Sequence, residues 1–396
     1  MVKIKHLGLI VILGLFASCS EHNPNCQKLA KIHKIEKQYL VSHKCEVGKV
    51  DLYVENSGSM DGYVHGNTEF KTDLFNVVKL LGGKEPVDKF FINADTIIRT
   101  NLSDYDFSNG MSVGAFQKWG GNRESSNIAE LLEKIIWETD SKGISVFVSD
   151  CILDVPRNAI DFFGNCQVSI KNTFNEALSA NPGLGVEIIK LDSKFDGYWY
   201  CGHNRELLKD AKRPYYIWII GSQKYLAEFN KKVPIENIIG GIKEYSAYAA
   251  PQKIPFDMNR STYVTNHSGK INVEILVNLR GSLQSSDLYK NTAQYKSANP
   301  SQVTVISACE ITDASSPYSH VITLEIDNPE TLKHETLTFS YPYLATWVSN
   351  SDDTTGTNVK ENLDRTTGLM ALIKGVAEAY KNSTTYGSVS FELKNK

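Results

Sequence analysis

The sequence predicts an α/β fold in which a mostly parallel sheet flanked by helices is followed by a mainly antiparallel β domain with one C-terminal helix. Three observations carry this. From Val50 to about Val233, apolar strand patterns alternate with helical ones, the order that builds a layered α/β domain. From about Tyr245 the grammar changes: Pro251 and Pro255 punctuate a linker, and period-2 alternation then dominates, as in antiparallel sheets with one wet face. A chain of 396 residues is also long for one domain and suits two.

In chain order, Lys3 and Lys5 precede the apolar run Leu7 to Phe16, which ends in Ala17-Ser18-Cys19. The run is too short to span a bilayer and reads as a cleaved secretory signal over residues 1–19. Ser20 to Gly48 is polar and reads as a tether and N-terminal segment. Val50, Leu52 and Val54 then alternate with Asp51 and Tyr53 and stop at Asn56-Ser57-Gly58-Ser59, a buried strand delivering its end into an oxygen-rich turn. Ligands of open α/β sheets bind beyond such strand ends. Serine hydroxyls and a carboxylate spaced two apart offer hard donors for Mg²⁺, Mn²⁺ or Ca²⁺. The plainer reading is a loop whose hydroxyls cap the next helix.

Phe70, Leu74, Val77, Val78 and Leu81 recur at helical spacing, ended by Gly82-Gly83, and Val87 to Asn93 is the next strand. The long stretch Ala94 to Arg123 is of a length that is functional or carries small elements of its own. Ile128, Leu131, Leu132, Ile135 and Ile136 mark an amphipathic helix with Ser125 or Ser126 as N-cap. Ile144 to Ser149 is a strand ending at Asp150. A short helix at Phe174 to Leu178, a strand at Gly185 to Leu191, an aromatic loop at Lys194 to His203, a near-continuous apolar strand at Pro214 to Ile220 and a helix through Tyr225, Leu226 and Phe229 complete the first domain, residues 49–244. The aromatic loop reads as a satellite core or as a partner surface. In the second domain, residues 245–396, strands are expected at Ile271–Leu279, Val303–Val305, Ile322–Ile326, Thr336–Tyr341 and Val389–Leu393, with an amphipathic helix over Asp364–Tyr380 packed on that sheet or on the first domain.

The run Lys49 to Met60, with Val50-Asp51-Leu52-Tyr53-Val54-Glu55-Asn56-Ser57-Gly58-Ser59-Met60, resembles the first strand of a von Willebrand factor A (vWA) domain, whose metal-ion-dependent adhesion site begins Asp-x-Ser-x-Ser. Glu55 stands where that family has the aspartate. Ser126-Asn127-Ile128 resembles the family's threonine-bearing helix start, with Ser125 as the alternative register, and Asp150 falls where the family places the acidic residue closing the site. Cys151 replaces its usual glycine neighbour. The resemblance implies a Rossmann-like fold and a divalent ion, Mg²⁺ or else Mn²⁺ or Ca²⁺, on Glu55, Ser57, Ser59, Ser126 and Asp150. It also implies a protein partner engaged through an acidic side chain.

Phe16-Ala17-Ser18-Cys19 similarly resembles a bacterial lipobox, which implies lipidation at Cys19 and a membrane-anchored envelope protein. Serine after the cysteine resembles lipoproteins sent to an outer membrane.

The net charge of −3 and the lack of a basic run make nucleic acid a poor partner. The six cysteines besides Cys19 permit disulfides of undetermined pairing, Cys26 with Cys45 being the pair to test first. They lack the close spacing of a zinc site. No G-x-S-x-G elbow, H-E-x-x-H pair or phosphate loop is present, and His203 and His320 stand alone. The sequence therefore reads as a binding protein rather than an enzyme, with a metal-independent envelope scaffold as the alternative and a metal-dependent hydrolase third.

Overall fold

The computed structural model describes residues 46–393 apart from 83–86, 95, 125, 156–160, 234–241, 266–268, 314 and 382–384. The signal and the tether up to residue 45, with Cys19, Cys26 and Cys45, lie outside the described residues, as does Ser125.

The first half is α/β. Strand β1 (Val50–Glu55) is buried along its whole length, because it pairs in parallel with β2 (Val87–Asn93) on one side and β4 (Ile144–Ser149) on the other. Helix α1 (Glu69–Gly82) lies between β1 and β2 in the chain. The stretch after β2 carries small elements: an antiparallel strand β3 (Thr96–Thr100) and two one-turn helices, α2 (Asp104–Asn109) and α3 (Val113–Lys118). Helix α4 (Ile128–Glu138) buries the predicted stripe and leads into β4.

Beyond β4 the structure departs from the expected mostly parallel sheet. Helix α5 (Phe162–Ala180) is far longer than the expected short helix at Phe174 to Leu178. Strands β5 (Leu184–Cys201) and β6 (Asn204–Ser222) form one long hairpin, so the expected aromatic loop is strand. A two-residue turn at Gly202-His203, with Gly202 at φ +59°, reverses the chain directly. A direct reversal makes the strands antiparallel, whereas parallel neighbours need a crossover. The seven-stranded sheet runs β3-β2-β1-β4-β6-β5-β7 and is mixed: only the β1–β2 and β1–β4 pairs are parallel. After helix α6 (Gln223–Lys232), strand β7 (Glu244–Ala249) completes it, so the change of grammar at Tyr245 falls within a strand of this sheet.

The second half is mainly antiparallel, as expected. One sheet orders β12 (Val303–Glu310), β13 (His320–Ile326), β10 (Ile271–Val277) and β9 (Phe256–Thr265). The other orders β11 (Tyr295–Ser297), β14 (His334–Ser340), β17 (Thr385–Glu392) and β8 (Gln252–Lys253), with only β17–β8 parallel. Short helices α7 (Ser286–Lys290) and α8 (Thr346–Asn350) add to the single helix expected, as does a small parallel pair, β15 (Asp352–Asp353) with β16 (Thr366–Thr367). The C-terminal helix α9 (Leu369–Ala379) packs on α5, where a Cβ on Gly375 would sit 2.7 Å from the Gln167 carbonyl oxygen. Tyr380 then reaches the sheet, its hydroxyl donating to the Leu184 carbonyl at 3.0 Å. One apolar core consequently runs from α4 and α5 into the second half.

Two buried cations fasten the chain of the second half onto the first. Lys190 donates to the Ser351 hydroxyl at 2.8 Å and the Asp364 carbonyl at 3.1 Å. Arg213 donates to the carbonyls of Asn362 and Leu363 at 3.2 and 3.0 Å. Among the described residues no helix is long and apolar enough to cross a membrane.

Candidate metal centre

All five predicted residues gather at the carboxyl ends of β1 and β4. The parallel register sets Val54 beside Val148, so the next residues, Glu55 and Ser149, are lateral neighbours. The Ser149 hydroxyl donates to Glu55 Oε2 and accepts the Cys151 N–H at 2.7 Å. Past Glu55 the chain enters a 3-10 turn, Gly58–Tyr63, whose flanking Ser57 makes no side-chain capping bond. Its hydroxyl instead lies 3.0 Å from that of Ser59. The plainer reading, in which these serines cap the next helix, does not describe them.

Ser126 is likewise free of a capping role. The cap of α4 is Asn127, whose side chain accepts from the Glu130 N–H, correcting the expectation of Ser125 or Ser126. The backbone shift to Asn127 leaves the Ser126 hydroxyl facing the strand ends, where it helps hold the charge of Glu55. Asp150 closes the far side, with Oδ1 accepting the Ile152 N–H at 3.1 Å and Ser59 supporting its charge. The bend after it puts Cys151 at φ +55°, a conformation that favours glycine. That is where the resemblance leads one to expect glycine. Cys151 is held there by the Trp218 indole, whose N–H donates to its sulfur at 3.3 Å.

The electrostatics are those of a charge cluster removed from water. Glu55 and Asp150 are each 1% exposed. Burial, and then the charge of Asp150, pushes the Glu55 carboxyl up to about 7 against the hydroxyls of Ser149, Ser57 and Ser126. Burial also raises Asp150, opposed by the Ile152 N–H, Ser59 and the buried guanidinium of Arg213. Among the buried side-chain oxygens without a partner within hydrogen-bond distance are Ser126 Oγ and Asp150 Oδ2. Orphaned buried polar atoms are costly. Both belong to this cluster.

Four residues outside the predicted set shape the site. Ser149 is invisible in an alternating strand. Arg123 braces the serine turn: Nε donates to the Asn56 carbonyl at 2.6 Å, Nη2 to the Ser57 carbonyl at 3.1 Å and to the Asp61 carboxylate, while its own carbonyl accepts the Gly58 N–H at 2.8 Å. Arg213 stands beside Lys212 immediately ahead of the apolar run Pro214–Ile220, and a charge abutting so apolar a strand is the signal that could have flagged it. Asn56 is buried below, taking the Asn93 amide at 2.7 Å and donating to the Phe116 carbonyl at 3.2 Å.

The aromatic hairpin lies across this rim. A Cβ on Gly62 would come within 2.4 Å of the Phe195 ring, and one on Gly58 within 3.7 Å of Tyr200. Its outer edge exposes Tyr198 and Leu207, cross-strand neighbours, with the Arg205 guanidinium 3.6 Å from the Tyr198 ring centroid.

The donor set suits a hard divalent cation: two carboxylates and three hydroxyls, with two of those oxygens unpartnered. Among the described residues no three His, Cys, Asp or Glu side chains gather to hold a metal; the set at this rim combines two carboxylates with hydroxyls. The cysteines at 151, 166 and 201 carry no disulfide. Comparison with family models, curated proteins and solved structures returned no match.

Proposed function

We propose that the chain is a binding protein whose vWA-like first half holds a divalent cation on Glu55, Ser57, Ser59, Ser126 and Asp150 and engages a partner protein at that rim. The observation that carries the reading is the pair of orphaned oxygens, Ser126 Oγ and Asp150 Oδ2, beside two carboxylates that burial makes hard to ionise, Glu55 further so by the charge of Asp150. When bound, the cation would balance that charge and offer a coordination position to an acidic side chain of the partner, the use to which the resembled family puts it. Ser57, Ser59 and Ser126 supply hydroxyl oxygens, Asp150 its free carboxylate oxygen, and Glu55 the carboxylate tied to β4 through Ser149. The exposed edge of the hairpin next to Gly58 supplies a contact surface rich in Tyr and Arg, residue types enriched at binding hot spots. The lipobox-like Phe16–Cys19 would anchor this protein to an outer membrane.

Thermal unfolding in EDTA and then in millimolar Mg²⁺ or Mn²⁺ tests the cation, since a ligand of the native state alone raises the melting temperature. Pull-down from a native envelope with and without EDTA tests the partner. A second reading, a metal-independent envelope scaffold, draws on the depth of the site: Ser57 is 4% exposed and the hairpin overlies the turn. It expects no cation-dependent shift in melting and the same captured partner in EDTA.

A further inference from the structure

A second site lies away from the strand ends, where helix α6 and strand β7 of the first sheet face the loop after β10 and the start of β13. A cleft of about 610 Å³ opens there, within the roughly 300–1,000 Å³ usual for small-molecule sites, which favour such junctions. Its walls are part apolar, from Ala227, Leu283 and Tyr289.

Its polar groups are unusual in being incompletely used. Arg280 gives two of its donors to backbone carbonyls, those of Ser316 at 3.0 Å and Tyr318 at 3.3 Å. Among the described residues no carboxylate lies within ion-pair distance of it, the charge of Glu310 acting only from farther off. A guanidinium has five donors in a planar fork suited to a carboxylate, so donors remain. His320 is 3% exposed and lines the same cleft. Its Nδ1 is engaged with the Ser319 hydroxyl at 2.9 Å while Nε2 has no partner. The edge contact with Tyr289, 5.1 Å between ring centroids, fixes the imidazole plane. Asn230, also in the wall, spends its amide N–H on Glu187 at 2.7 Å and leaves its buried carbonyl oxygen unpartnered. Burial holds His320 down at about 4, so at neutral pH it offers a hydrogen bond and no charge. A cation short of an anion, a neutral ring nitrogen and an idle amide oxygen thus surround a half-apolar space.

We propose that this cleft binds a small organic carboxylate carrying an apolar body and a hydrogen-bond donor, its carboxylate on Arg280 and its polar atoms on His320 and Asn230. Glu310, exposed at the mouth and engaged by the Ser286 hydroxyl at 2.6 Å, disfavours dianions.

The test is calorimetric titration of the full chain with 4-hydroxyphenylacetate and with its neutral amide, 4-hydroxyphenylacetamide. One saturable site is expected for the acid, with binding by the amide at least about tenfold weaker for want of the ion pair. Arg280→Lys, which keeps the charge but loses the fork, should weaken the acid about tenfold or more. Ala227→Trp, which fills the cleft from α6 and spares Arg280, should abolish binding while unfolding as cooperatively as the parent. The proposal is overturned if 4-hydroxyphenylacetate, phenylacetate and 4-methylpentanoate all fail to bind up to about 10 mM. It is equally overturned if the amide binds as well as the acid, or if Ala227→Trp binds unchanged.

Discussion

The charge on Glu55 is the property of the site most open to experiment. Its carboxyl is raised from an ordinary 4.5 to about 7, so the native state keeps a proton that the unfolded chain has already released. Stability must then fall as pH rises through that window, with the penalty absent below the unfolded value and complete above the folded one. At about 1.4 kcal/mol per pH unit the rise is worth about 3 kcal/mol. Asp150 is raised too and pulls the same way. His320 pulls the other way: burial depresses it from 6.5 to about 4, so its contribution is lost as pH falls through that range. The raw profile of the parent therefore mixes opposed slopes. Glu55→Gln separates them, because glutamine keeps the Ser149 hydrogen bond, cannot ionise and leaves His320 untouched. In EDTA-treated protein, urea midpoints should match near pH 4.5 and diverge upward, the variant becoming more stable by about 3 kcal/mol at pH 8. Saturating Mg²⁺ or Mn²⁺ should reverse the order, since a cation stabilises the ionised pair. A parent-minus-variant difference that stays flat from pH 4.5 to 8 refutes the raised carboxyl. A pH-dependent difference that no divalent cation alters leaves a proton-sharing pair and removes the cation.

Three other outcomes follow from the same geometry. Ser126→Ala should leave the metal-free melting temperature within about 2 °C, because its hydroxyl has no partner at full hydrogen-bond geometry and only lends support to the Glu55 charge, yet reduce the shift caused by Mn²⁺; an unchanged shift excludes it as a ligand. Arg123→Ala frees the carbonyls of Asn56 and Ser57 and should weaken Mn²⁺ binding about tenfold or more by calorimetry, with Arg123→Lys intermediate. Gly62→Ala puts a methyl 2.4 Å from the Phe195 ring and should destabilise the chain by about 1–3 kcal/mol in urea unfolding, a loss that Phe195→Leu in the same chain should partly restore.

How much of this could be read from the sequence depended on where the information lay. Glu55, Ser57, Ser59 and Asp150 lie at or just past the ends of β1 and β4 and Ser126 just ahead of α4; the resemblance of these phrases to the vWA site singles them out, and the ends of a parallel pair converge. The β5–β6 hairpin was not. Asp192, Lys194, Asp196 and Gly197 break the apolar run after Leu191, so the segment reads as loop, while the Gly202-His203 turn between Tyr200 and Arg205 carried the contrary signal. Without that turn the alternation of elements predicts a mostly parallel sheet, where a mixed one forms. Arg123 was hidden for another reason: its partners are mainly backbone carbonyls, which no residue pattern announces.

The glutamate at position 55 acquires a physical role from its neighbour. Ser149 sits beside it on β4 and spends its hydrogen on Glu55 Oε2 while accepting the Cys151 N–H. One carboxylate oxygen is thus committed across the β1–β4 pair, and the extra methylene, compared with aspartate, lets the group make that crossing while still facing Ser57 and Ser126. The same serine ties Glu55 to the bend that holds Cys151 at positive φ and aims Asp150 at the cluster. Glutamate at 55, serine at 149 and cysteine at 151 therefore form one connected arrangement. Changing Glu55 to aspartate alone would shorten the side chain away from Ser149 and leave Cys151 at a bend that favours glycine, so the residues at 55, 149 and 151 depend on one another.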